Sequence, residues 1–209
     1  MQSDVTYNVF LKRIIDYTLS LALFLLFLPL IFLIGIAVKI TNPGPIFFIQ
    51  ERVGLQGKII KFVKFRTMYV DAEERLKLYL ATNPDKKAEW EKYFSLDKDP
   101  RVIPFIGNFL RKTSLDELPN LINVLRGDIS LVGPRPLPLY HFKELSPEIQ
   151  QLRQSVLPGI TGLWQITRGD INNLMALDSY YIKNWSLSLD LRIILNTIFV
   201  VLLADKPNH

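Results

Sequence analysis

Asp116 and Glu117 stand side by side, a few residues after the cations Arg111 and Lys112 and just before an apolar run. Leu118, Leu121, Ile122 and Leu125 recur at helical spacing, so a helix is expected to begin near Asp116 with Pro119 in its first turn. A carboxylate at a helix start is held ionised by the unsatisfied N–H groups and the helix dipole. An ionised Asp flanked by cations is a competent nucleophile for phosphorus. The same residues also spell a capping box, Ser114-x-x-Glu117, which requires no chemistry. On this stretch alone both readings stay open.

Other charged patterns add to it. Gly133-Pro134-Arg135-Pro136 makes a stiff turn, and an Arg fixed there can clamp phosphate oxygens through its planar fork. Its plain alternative is an exposed turn Arg. Lys58, Lys61, Lys64 and Arg66 line a β-rich segment, as a basic site or as the solvated face of an edge strand. Asp97-Lys98-Asp99 has the Asp-x-Asp form of metal-using glycosyltransferases, but a polar loop ahead of Pro100 favours acidic residues anyway.

The elements that must position these residues follow from the rest of the chain. Its 209 residues can bury one sizeable core. They are 49% hydrophobic, with a net charge of +5, a pI near 9.3 and a mean hydropathy of +0.18. That balance suits an anionic partner: nucleic acid, acidic lipid or a phosphorylated substrate. Cysteine is absent, which excludes a disulfide framework, a thiol nucleophile and Cys-based zinc. His141 and His209 are too few for a histidine-rich metal site and make a Ser-His-Asp triad a poor fit. Chemistry therefore falls to carboxylates, Lys and Arg.

Residues 17–38 carry no charge, a length that can cross a bilayer. The run is too long for a typical signal peptide, and no small-x-small cleavage site precedes Lys39. Pro29 lies near its middle and favours a kink. Cations flank both ends: Lys12 and Arg13 before, and Lys39, Arg52, Lys58, Lys61 and Lys64 after. The positive-inside rule places both flanks in the cytoplasm. Each arm beside Pro29 spans about 16 Å, half a hydrocarbon core. The expectation is a helix that enters one leaflet, breaks at Pro29 and returns; a straight span is the alternative.

Asn42-Pro43-Gly44-Pro45 ends that segment. Residues 46–52 and 59–68 read as a hairpin around Gly54 and Gly57. Residues 71–94 read as helix, divided at Asn83-Pro84-Asp85, lying on a membrane surface or over the core. Residues 129–132 form a short strand, and residues 158–165 a Gly/Pro-punctuated loop followed by Arg168. Asp178, Tyr180, Tyr181 and Trp185 read as a helix with an aromatic face. Residues 193–203 are apolar but too short to span.

Five motifs then occur in order: Lys64-Phe65-Arg66-Thr67-Met68, Asp99-Pro100-Arg101, the stretch from Arg111 through Asp116-Glu117 to Pro119, Ser130-Leu131-Val132-Gly133-Pro134-Arg135-Pro136, and Pro158-Gly159-Ile160-Thr161-Gly162. Together they resemble the bacterial sugar transferase family, the monotopic phosphoglycosyl transferases, over nearly the whole chain. The resemblance implies transfer of a sugar-1-phosphate from a UDP-sugar to polyprenyl (undecaprenyl) phosphate, with release of UMP, at the start of lipid-linked glycan or exopolysaccharide assembly. It implies Asp116 as nucleophile through a phospho-aspartyl intermediate, Glu117 as its partner, and Mg2+ as cofactor near Asp116. It also implies Lys64, Arg66, Arg111, Arg135, Arg168 and Asp178 as polar residues around the phosphates or nucleotide, and Pro29 as the break in the membrane helix.

The implied fold is α+β: mainly helical, with a small β-hairpin, an N-terminal re-entrant membrane helix and interfacial amphipathic helices. Residues 1–40 form the membrane-inserted part and residues 41–209 one catalytic unit, so that the chain looks like a minimal catalytic unit. The implied place is the cytoplasmic face of the bacterial inner membrane, with membrane lipids as partners, no nucleic acid, and a homodimer as an open arrangement. Two departures stand out. The helix break is Leu28-Pro29 where the family usually has Ser-Pro, and Gln165-Ile166-Thr167-Arg168-Gly169 stands where many members have an Asn-Gly pair. Two rivals remain: an Asp-x-Asp glycosyltransferase that releases UDP, and a non-enzymatic membrane tether with a basic face.

Overall fold

The N-terminal apolar stretch folds as a single 40-residue helix, α1 (Gln2–Thr41), in a computed structural model that describes residues 2–93, 96, 98–167 and 173–202. Readings that fall on Phe94, Asp97, Arg168, Gly169, Leu203 and His209 lie outside the described residues. Pro29 sits inside α1, and the helix continues across it. Proline removes one helix hydrogen bond, and leucine-rich flanks of good helix formers carry the turn over that loss. One stripe of α1 is packed against the rest of the chain. Asp16, Ser20, Ile34 and Val38 are buried, and Leu19, Leu23, Phe24, Leu30 and Ile31 pack against the two apolar clusters of the core. The other face, with Leu21, Leu25, Leu26, Phe32, Leu33, Ile36 and Ile40, is exposed. The packed stripe runs on both sides of Pro29, so both arms of α1 lie along the body of the protein.

Polar contacts fix the first arm. The buried Asp16 carboxylate accepts from Ser130 Oγ at 2.7 Å and from the Leu131 N–H at 3.1 Å. Lys12 Nζ donates to Asp190 Oδ2 at 2.6 Å and to the Val132 carbonyl at 3.0 Å.

The hairpin forms where the two β-rich runs around Gly54 and Gly57 predict it. Strands β1 (Phe47–Val53) and β2 (Ile59–Phe65) are antiparallel, with Phe47 opposite Phe65 and Val53 opposite Ile59. Period-two geometry places Ile60, Phe62 and Lys64 on one face of β2; Ile60 and Phe62 are buried there. Two helices follow, α2 (Ala72–Thr82) and α3 (Pro84–Tyr93), divided at Asn83 where the sequence predicts a break.

Helix α4 (Ile106–Thr113) ends at Ser114, which is left-handed with φ 59°. A 3-10 segment (Leu115–Asn120) comes next, and then the short α5 (Leu121–Leu125). Asp116 thus sits in a tight 3-10 turn and not at the start of a regular helix. Ser114 makes no side-chain cap bond, so the expected capping box does not form. Pro119 accounts for part of this, because it lacks the N–H that an α-helical bond back to Leu115 needs.

Strand β3 (Ser130–Val132) pairs in parallel with β4 (Gly159–Thr161), inside the stretch expected to be loop. Glycine makes that approach feasible. A Cβ on Gly159 would lie 2.1 Å from the Gly133 nitrogen, and one on Gly133 would lie 2.5 Å from the Leu157 carbonyl. Helices α6 (Leu139–Lys143), α7 (Pro147–Gln154), α8 (Leu163–Thr167), α9 (Leu174–Lys183) and α10 (Leu187–Leu202) complete the chain. Among the described residues the architecture is mainly helical with two small two-stranded sheets. One core cluster joins β2, α5, β3, α9 and α10; a smaller one joins α1, β2 and α4.

Candidate active site

The 3-10 segment packs against β2 and carries Asp116 and Glu117 up to Lys64. Lys64 Nζ donates to Glu117 Oε1 at 2.6 Å and lies 4.0 Å from Asp116 Oδ2. Arg135, from the turn after β3, donates Nη2 to the same Glu117 Oε1 at 2.6 Å. Three elements far apart in sequence therefore converge on one dyad. Lys64 reaches it because it shares the inward face of β2 with Phe62, whose ring lies 5.5 Å beneath its ammonium.

The electrostatics follow from this packing. Burial opposes ionisation of Glu117, but Arg135 and Lys64 outweigh it and hold the carboxyl far below the ordinary carboxylate range. Glu117 in turn raises the pKa of Arg135. Burial lowers that of Lys64 despite its carboxylate neighbours. Glu117 is thus a fixed anion with two cations on one oxygen, beside the Asp116 carboxylate.

Sequence reasoning missed two buried arginines. Arg52 on β1 lies over the Phe62 ring at 4.5 Å and donates Nη1 to the Pro136 carbonyl at 2.5 Å. Burial, with Arg135 adding to it, lowers its pKa to about 10. Arg153 on α7 pairs with Asp178 and donates to the Arg135 carbonyl. In the sequence, Arg52 reads as a flanking cation, and Arg153 belongs to no motif. Neither carries a local signal, because each acts on backbone carbonyls of a distant turn.

A family profile described as Bacterial sugar transferase matches residues 7–204. The chain belongs to the bacterial sugar transferase family. It is 42% identical over 200 residues to the undecaprenyl-phosphate galactose phosphotransferase of Salmonella typhimurium, covering 94% of this chain and 41% of that protein. It is 42% identical over 201 residues to the exopolysaccharide production protein ExoY of Rhizobium meliloti, covering 92% and 86%. It is 40% identical over 202 residues to the UDP-glucose:undecaprenyl-phosphate glucose-1-phosphate transferase of Escherichia coli K12, covering 92% and 40%. The chain thus spans about two fifths of the Salmonella and Escherichia proteins and most of ExoY.

Within this member of the family, the other expected site residues are spread out. Arg66 turns away from the dyad and donates to the carbonyls of Asn42 and Pro43, tying β2 to the turn after α1. Asp178 is buried against Arg153 on the far side of the Arg135 turn. Arg111 lies in the last turn of α4, and its charge helps to hold the Asp99 carboxyl down. Arg168 lies outside the described residues. Both oxygens of Asp99 are engaged by Arg101, at 2.6 to 3.0 Å, and Asp97 lies outside the described residues.

Among the described residues no three acidic or histidine side chains gather into a metal cage. Mg2+ is commonly held by one or two carboxylates together with substrate phosphates and water. Asp116, a hard oxygen donor beside a cation-lined site, has that chemistry.

Proposed function

We propose that this chain transfers a sugar-1-phosphate from a UDP-sugar to polyprenyl phosphate and releases UMP, so starting assembly of a lipid-linked glycan or exopolysaccharide. The observation that carries this reading is the dyad itself: Asp116 and Glu117 enclosed by Lys64 and Arg135, with Glu117 already neutralised. The names of the relatives point the same way. Asp116 Oδ attacks the β-phosphorus of the UDP-sugar, a P–O bond forms, and the bond from that phosphorus to the UMP oxygen breaks. UMP leaves with the electron pair, and the sugar phosphate stays on Asp116 as an acyl phosphate. An oxygen of polyprenyl phosphate then attacks the same phosphorus, forms the diphosphate link and returns the Asp116 carboxylate.

Lys64 and Arg135 lower the repulsion between the carboxylate and the anionic phosphates, which is the main barrier when an anion attacks a diphosphate. Glu117 holds both cations in place. Arg111 is assigned to the diphosphate as well. Asp116, with the substrate phosphates, would hold Mg2+, which would supply further charge neutralisation.

The lipid acceptor requires a membrane. Helix α1 is long and apolar enough to cross one, but its two arms are both seated on the protein body. That packing favours a helix dipped into one leaflet on the cytoplasmic face of the plasma membrane, with its exposed apolar face in lipid. Phe105 and Phe109, 90% and 54% exposed on the α4 side, suit contact with the same boundary. The engagement of Asp99 by Arg101 weighs against the Asp-x-Asp glycosyltransferase. Purified protein in lipid vesicles with UDP-sugars and polyprenyl phosphate tests the proposal: UMP supports it, UDP favours the glycosyltransferase, and no nucleotide favours a tether.

A further inference from the structure

The turn that carries Arg135 is held from behind. Pro134 and Pro136 fix their own φ angles, and the residue before a proline is limited to extended conformations. Gly133 is locked against β4 by backbone contacts. The remaining freedom lies in the peptide planes on either side of Pro136. Two buried guanidinium groups from different elements hold them. Arg52 of β1 takes the Pro136 carbonyl at 2.5 Å. Arg153 of α7 takes the Arg135 carbonyl with Nη2, while its Nη1 pairs with Asp178 of α9. Arg153 and Asp178 are both almost wholly buried, each with 5% side-chain exposure.

We propose that Arg153 is a positioning residue: braced by Asp178, it fixes the Arg135 backbone and thereby the aim of the Arg135 guanidinium at Glu117 and the substrate diphosphate. The inference rests on the function proposed above. A buried ion pair gives little net stability over apolar packing, so stability alone explains poorly why two buried arginines grip consecutive carbonyls of one turn. Aim explains it, since a shift of about 1 Å in a phosphate-clamping group can cost roughly 100-fold in rate. Asp178, expected from the resemblance to lie among the site's polar residues, acts on this account through Arg153 and then Arg135.

Arg153→Lys keeps a cation against Asp178 but loses the fork that serves two oxygens at once. In vesicles, its kcat/KM for UMP release should fall about 10- to 100-fold per folded molecule. The loss should fall on kcat more than on the KM for the UDP-sugar, because the aim of Arg135 counts most in the transition state. In an Arg135→Lys background the same substitution should cost less than threefold, since a lysine head swivels and depends less on backbone aim. Asp178→Asn should repeat the pattern in milder form and stands in where Arg153→Lys does not fold. Equal fold-losses in both backgrounds, a lowered Tm with unchanged turnover per folded molecule, or failure of both variants to fold would overturn the positioning role. A wild type that releases no UMP removes the proposed function first and this inference with it.

Discussion

Glu117 accepts from Lys64 and from Arg135 at 2.6 Å each, so its charge is structural as well as chemical. Glu117→Gln leaves two nearly buried cations without their anion. We expect a loss on the order of 2–3 kcal/mol, below the usual cost of breaking a fully buried pair because the carboxylate is 15% exposed. The pH dependence has a definite sign. A carboxyl whose folded pKa is depressed stabilises the protein fully above its unfolded pKa of 4.5, and that stability is lost as pH falls towards the folded value. Acid titration of Tm should therefore show wild type losing stability below about pH 4.5 with a steeper slope than Glu117→Gln. Equal acid slopes would contradict the ion cluster. At this scale the dyad, Lys64 and Arg135 are legible in the sequence, because charged residues beside prolines and apolar runs stand out. Arg52 and Arg153 are not, because their partners are carbonyls that only the folded turn presents.

Among the elements, the hairpin and the α2–α3 break were readable, since β-rich runs around glycines and Asn83-Pro84 are local signals. The 3-10 segment and β4 were not. Left-handed Ser114 depends on how α4 meets the core, and a three-residue parallel strand depends on a partner far along the chain. Asn123 shows how α5 sets the position of Lys64. Its fully buried amide donates to the Lys61 carbonyl at 2.8 Å and accepts from the Val63 N–H at 3.4 Å. Asn123→Ala strands both backbone groups, so we expect a cost of about 2 kcal/mol. Because β2 then sits less firmly on α5, the KM for the UDP-sugar should also rise. Denaturant titration alongside initial rates checks both, and an unchanged KM would show that Lys64 is placed without Asn123.

For the whole molecule, α1 decides where the site works. Its continuity through Pro29 differs from the expected break, yet both arms lie on the body and one long face is exposed and apolar. Cysteines introduced near residues 3 and 42 should label from the cytoplasm alone; labelling from opposite sides would mean a full span. Pro29→Leu should stabilise α1 by up to about 3 kcal/mol and leave the labelling on one side, because the seating of both arms, and not a break at Pro29, holds the helix along the body. The central claim concerns covalent transfer through Asp116, and one measurement reaches it most directly. Enzyme in vesicles, given UDP-sugar without polyprenyl phosphate, should release up to one equivalent of UMP and gain one sugar phosphate on the peptide that contains Asp116. Asp116→Asn should fold and bind the vesicles but release no UMP and form no adduct. An adduct on Asp116→Asn, or no UMP from wild type until the lipid acceptor is added, would contradict the account.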